Sequence, residues 1–119
     1  MINWKAIIIG FLISNILGIL LSFVIPVIGG ILTTLLAAII VGYLVNDSLG
    51  NGALNAAIMG LLGGLVESII ILIAGAALAG ISGFLIAILG VFVIAVLTLV
   101  NILVAAIGGI IGSAIKGNY

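Results

Sequence analysis

Residues 52–68 read GALNAAIMGLLGGLVES. Every fourth position is small: Gly52, Ala56, Gly60, Gly64 and Ser68. Residues four apart stack on one face of an α-helix, one turn above the other. The segment therefore carries a nearly side-chain-free stripe about four turns long. Beside the stripe stands Glu67, the one carboxylate set deep inside an apolar run.

Working outward, the whole chain shares that apolar character. Of its 119 residues 67% are hydrophobic, and only Lys5, Asp47, Glu67 and Lys116 carry charge. A water-soluble domain has about 25% charged residues. Four charges cannot cover such a surface, so lipid is the expected solvent and membrane lipid the expected partner. Net charge is zero and no basic patch is present, so no nucleic-acid partner is expected. The sequence has no cysteine and no histidine, which removes disulfides, thiolate chemistry and the commonest metal ligands. No metal and no cofactor is expected.

The apolar runs divide into four expected spans of roughly 20 residues or more: about 6–25, 28–45, 53–78 and 84–112. As a single helix, 6–45 would measure about 60 Å, twice the hydrocarbon thickness. Pro26 and the pair Gly29–Gly30 therefore predict a hairpin. NDSLGNG, residues 46–52, is the one clear polar loop, rich in residues that favour turns. A further turn is expected near 79–83, inside AGAALAGISG. The first run follows Lys5 as a signal peptide would. It is long, however, carries Asn15 and lacks an A-x-A site before Pro26, so it is read as a retained span.

The fold class is thus all-α, a single integral membrane bundle of four transmembrane helices with glycine-zipper packing. Four crossings put both termini on one side of a multi-pass cell-membrane protein. Trp4, Tyr43 and Tyr119 then share an interface with Lys5 and Lys116, and the positive-inside rule favours cytoplasmic termini.

Small residues at four-residue spacing recur: Ala6-Gly10-Ser14-Gly18-Ser22, Gly30-Thr34-Ala38-Gly42 and Asn101-Ala105-Gly109-Ser113-Gly117. In lipid, helix association depends on close backbone approach and interhelical hydrogen bonds, which small residues permit. Gly52, Ala56, Gly60, Gly64, Gly10, Gly18 and Gly109 are the expected packing and oligomer-interface positions. More stripes are present than one internal hairpin needs, which predicts a homo-oligomer.

Glu67 falls near mid-membrane, where a charged Asp costs about 2.5–3.5 kcal/mol on insertion scales. No Lys or Arg is available at that depth to pair with it. Asn15, Thr33, Thr34, Thr98 and Asn101 fall near the same level, and a hydrogen-bonded layer joining Glu67 to Asn15 or Asn101 is expected. Such a layer reads either as glue between helices or as a proton or cation site. Gly60-x-x-Gly63-Gly64 is not a phosphate loop, since no strand precedes it and no Lys-Ser/Thr follows. The serines have no histidine base, so no enzyme activity is expected.

Four pieces carry a resemblance: WKAIIIG (4–10), Gly42-Tyr43, the stretch 52–64 and AAIGGIIGSAIKG (105–117). Through them the chain resembles an archaeal domain-of-unknown-function family of small, glycine-rich, four-helix membrane proteins. The resemblance implies the fold and an archaeal source, and no activity. Small multidrug transporters share the length and span number, but their essential glutamate lies in the first helix, where this chain has Asn15. Rotor-ring proteolipids share glycine stripes and a membrane carboxylate, but not this polar loop or the long apolar tail. Two functions are expected in order: a self-associating structural or assembly protein, then a small ion- or proton-conducting channel or transporter subunit with Glu67 as its site.

Overall fold

The computed structural model describes residues 2–25, 28–45 and 48–117. Pro26, Asp47 and Tyr119, to which the sequence reading gave a turn, a loop charge and an interfacial ring, lie outside the described residues. Three α-helices account for nearly everything else: α1 (Trp4–Val24), α2 (Ile28–Val45) and α3 (Leu49–Lys116). All three are long and apolar enough to cross a membrane.

The sequence predicts four helices where the described residues form three. The difference lies in α3, whose 68 residues run through both of the last two expected spans. Only Ala79 (φ −139°, ψ 18°) and Gly80 (φ 61°, ψ −137°) leave helical geometry. There the chain turns back on itself. The contacts that an added Cβ would make set Gly75 against Gly83, Gly64 against Thr98 and Gly52 against Gly109 and Ser113, an antiparallel register. A long loop would take many backbone N–H and C=O groups out of helical hydrogen bonding. A two-residue reversal keeps that number small, and glycine tolerates its positive φ.

Local signals explain the helix ends. Asn3 caps α1, its side chain accepting from the Ala6 N–H at 3.2 Å. Ser48 caps α3, its Oγ accepting from the Asn51 N–H at 3.2 Å. Residues 49–52, read from sequence as loop, are thereby the first turn of α3. Between α1 and α2 the Gly29 N–H donates to the Ile25 carbonyl at 2.9 Å. At the far end Gly117 takes a left-handed φ of 93° and its N–H donates to Ala114 O at 3.0 Å.

The core sits at one end of the bundle. Ala6 and Ile7 of α1, Ala37, Ala38 and Val41 of α2, and Ala56, Met59 and Ala105 of α3 are buried together. Backbones meet here because the side chains are so small. An added Cβ at Gly42 would strike the Gly109 peptide, and one at Gly112 would lie 2.8 Å from Tyr43 N. Polar groups close the same end. Asn3 N–H donates to Asn55 Oδ1 at 2.6 Å, and the Ser113 hydroxyl donates to Gly42 O at 3.1 Å. Lys116 Nζ lies 4.3 Å from the centre of the Tyr43 ring. Toward the other end packing thins: Ile69, Ile70, Leu85, Leu89 and Phe92 are all exposed, as lipid-facing residues are.

Candidate functional site: a polar cavity within the bundle

The Asn3–Asn55 contact fixes the relative height of α1 and the first limb of α3, which run in the same direction. Twelve residues farther on stand Asn15 and Glu67 respectively. Both therefore lie about 18 Å from that contact along the axis.

At this height the helices separate. Between them is a cavity of about 360 Å³. Its lining gathers polar side chains from every helix: Ser14, Asn15 and Ser22 from α1, Thr33 and Thr34 from α2, Glu67 from the outgoing limb of α3, Thr98 and Asn101 from the returning limb. Gly18, Gly30, Gly60, Gly63 and Gly64 supply the remaining space. An added Cβ at Gly30 or Gly63 would meet nothing within 4 Å, so the hollow exists partly because these positions lack side chains.

The expected site residues Glu67, Asn15 and Asn101 are thus brought to one cavity. No hydrogen bond joins Glu67 to either asparagine among the described residues, so the expected bonded layer is replaced by open space. The reason is visible in the donors. Asn15 Nδ2 donates to Phe11 O at 3.0 Å, Ser14 Oγ to Phe11 O at 2.8 Å, Thr34 Oγ1 to Gly30 O at 3.0 Å and Ser22 Oγ to Ile19 O at 2.9 Å. Each of these groups donates one hydrogen to a carbonyl one turn back along its own helix, a familiar arrangement for these side chains. Thr33 differs: it is 3% exposed and its Oγ1 has no hydrogen-bond partner. Burying an unpaired hydroxyl costs about 1–3 kcal/mol.

Of the expected packing positions, Gly18, Gly60 and Gly64 lie on the cavity wall, and Gly10, Gly52, Ala56 and Gly109 do not. Gly52 meets Gly109 and Ser113, a Cβ added at Gly60 would lie 3.6 Å from Asn101 O, and Gly64 faces Thr98, all contacts between the two limbs of α3. Ala56 is buried in the core, and an added Cβ at Gly10 would strike Val41 and Met59. At Gly18 it would lie 3.9 Å from Thr33 Cγ2, at the edge of the cavity.

A family model described as a family of unknown function (DUF5518) matches residues 4–115. The chain belongs to the DUF5518 family. No curated protein and no solved structure matches it. In this family member the match spans both the packed end and the cavity. Sequence reasoning missed the polar closure made by Asn3, Ser48, Asn55 and Ser113. The spacing Ser48-x-x-Asn51 at the head of an apolar run was a signal for part of it.

Proposed function

We propose that this DUF5518 protein is a small intramembrane cation- or proton-conducting protein, with Glu67 as the charged group of its site. In this reading α1, α2 and the two limbs of α3 are four glycine-packed crossings with both termini cytoplasmic. The observation that carries it is the cavity: polar side chains from all three helices line it, and among the described residues Glu67 lies on it without a hydrogen bond to a neighbouring helix. Glue between helices would require such a bond. An ionisable group on a polar hollow between helices is the usual mark of an ion or proton route.

Self-association as a structural or assembly protein is the second reading. What supports it is an apolar hollow between the limbs near the reversal, lined by Ile71, Gly75, Leu78, Gly83 and Ile86, with small residues beside large exposed ones.

One substitution separates the two. Glu67→Gln keeps shape and hydrogen-bonding capacity but removes the carboxylate. In proteoliposomes under an imposed membrane potential, the parent protein is expected to carry a cation or proton current and Glu67→Gln to abolish it. Helix content and the number of copies per detergent particle should stay unchanged. Equal currents from the two proteins, or none from the parent, would remove the conduction reading and leave self-association.

A further inference from the structure

We infer that the hollow is a blind, water-filled vestibule, entered from the reversal end and stopped at the packed end by Ile7, Val41 and Met59. For its role it rests on the conduction reading, to which it adds the side of entry and the residues that close the route. The wall, the extent and the floor of the hollow all lead there.

The wall carries donors as well as acceptors. Asn15 keeps a second amide hydrogen beyond the one given to Phe11 O. The Thr98 hydroxyl and the Asn101 amide have no hydrogen bond among the described residues, and neither does the Glu67 carboxylate. Water both donates and accepts, so it suits such a mixed wall better than any ion or acyl chain does. The volume of about 360 Å³ holds on the order of ten waters. Water also solvates Glu67, which is exposed and has no helix as partner. The other hollow, near the reversal, is walled by Ile71, Leu78 and Ile86 and offers water no such partners.

The extent gives the side of entry. Met59 and Gly60 stand at one end of the lining, Ser22 and Gly30 at the other. Ser22 lies in the last turn of α1, which ends at Val24, and Gly30 in the first turn of α2, which begins at Ile28. Both are exposed. From Ser14 to Ser22 the lining climbs about 12 Å along α1. The hollow therefore reaches the end of the molecule where α1 gives way to α2, the same end as Ala79.

The floor closes the other direction. Met59 lines the hollow yet is only 2% exposed, and Ile7 and Val41 are buried in the same cluster. An added Cβ at Gly10 would strike Val41 and lie 2.8 Å from Met59 Sδ, so α1, α2 and the first limb of α3 interlock at this height. The returning limb joins them through Ala105, which is fully buried. Below lie Ala6 and Ala56, both buried, and then the hydrogen bond from Asn3 to Asn55. These apolar side chains offer water no hydrogen bond, so water from the packed end stops there. Met59 is the unbranched, flexible member of the plug, and it is the one that swings aside when anything passes.

The test uses single cysteines in a chain that has none. Thr34→Cys and Gly63→Cys report on the hollow and Val41→Cys on the plug, while Ala79→Cys and Lys116→Cys mark the two sides. Each is treated with a membrane-impermeant trimethylammonium methanethiosulfonate, once in intact cells and once in inverted vesicles. The reacting species is the thiolate, so labelling reports water at the cysteine. Both hollow cysteines are expected to label about tenfold faster or more from the side that labels Ala79→Cys, and Val41→Cys from neither side. If neither hollow cysteine labels, although the markers do and circular dichroism shows parental helix content, the vestibule is overturned. Faster labelling of the hollow from the side of Lys116→Cys, or labelling of Val41→Cys from that side, overturns it as well. Conduction is scored separately. Labelling as expected without a Glu67-dependent current in the parent keeps the vestibule and removes conduction, and a current without labelling does the reverse.

Discussion

At the scale of single residues, glycines do two opposite jobs in this chain. At Gly42 and Gly109 two backbones touch, and the atoms an added methyl would meet are peptide atoms that have no rotamer to retreat into. Gly42→Ala or Gly109→Ala must push α2 or the first limb of α3 away, with an overpacking cost of about 1–3 kcal/mol. At Gly63 the same methyl meets open space, and alanine's better helix propensity should stabilise by up to about 1 kcal/mol. Thermal unfolding in detergent, followed by helical circular dichroism, is expected to place Gly63→Ala at or above the parent and the other two clearly below it. The four-residue spacing made these glycines legible as packing positions. It gave no way to tell contact from hollow, because Gly30 and Gly42 belong to one series yet one is open and the other is pressed against α3. That distinction depends on how far the helices have diverged at each height, which is a tertiary property.

At the scale of elements, the chain's two descriptions of a turn differ in kind. The polar loop was legible from NDSLGNG, although Ser48 starts the helix inside it. The reversal in α3 has almost no polar sequence of its own, because it takes only Ala79 and Gly80 out of helical geometry and so leaves few backbone groups to satisfy. Its signal is the cluster Gly75, Gly80, Ser82 and Gly83 in an apolar run, enough to expect a turn near 79–83 and too diffuse to place it to the residue. Gly80 holds φ 61° and ψ −137°, and an added Cβ would touch nothing within 4 Å. The cost of Gly80→Ala is therefore backbone strain alone, about 1–3 kcal/mol. Ala77→Gly, one turn earlier in regular helix, costs about 1 kcal/mol by propensity. Unfolding in detergent should rank Gly80→Ala as the less stable of the two, even though it replaces glycine with a better helix former. The opposite ranking would mean that residue 80 is not a fixed left-handed position.

At the scale of the whole molecule, packing is graded along the axis. Small residues draw the helices together at the end that carries Asn3, Tyr43, Ser48 and Lys116, and larger exposed side chains take over toward Ala79. The site follows from that gradient. Asn15, Thr33, Glu67 and Asn101 sit where the backbones have separated enough to leave room but not enough to lose one another. The sequence showed these residues at a common depth, while the cavity between them needed the divergence of the helices, which no local pattern encodes. The gradient also fixes an orientation that can be measured. Ile2 and Lys116 are exposed at the packed end, and Ala79 is exposed at the other. The chain has no cysteine, so single replacements report without background. Ile2→Cys and Lys116→Cys are expected to react with a membrane-impermeant maleimide in inverted vesicles and not in intact cells, since Lys5 and Lys116 favour the cytoplasmic side. Ala79→Cys should show the reverse. Reaction of Ile2→Cys and Lys116→Cys from opposite sides would mean that the limbs of α3 do not both cross. The cavity would then lose the wall that carries either Glu67 or Asn101, and with it the geometry on which the proposed conduction rests.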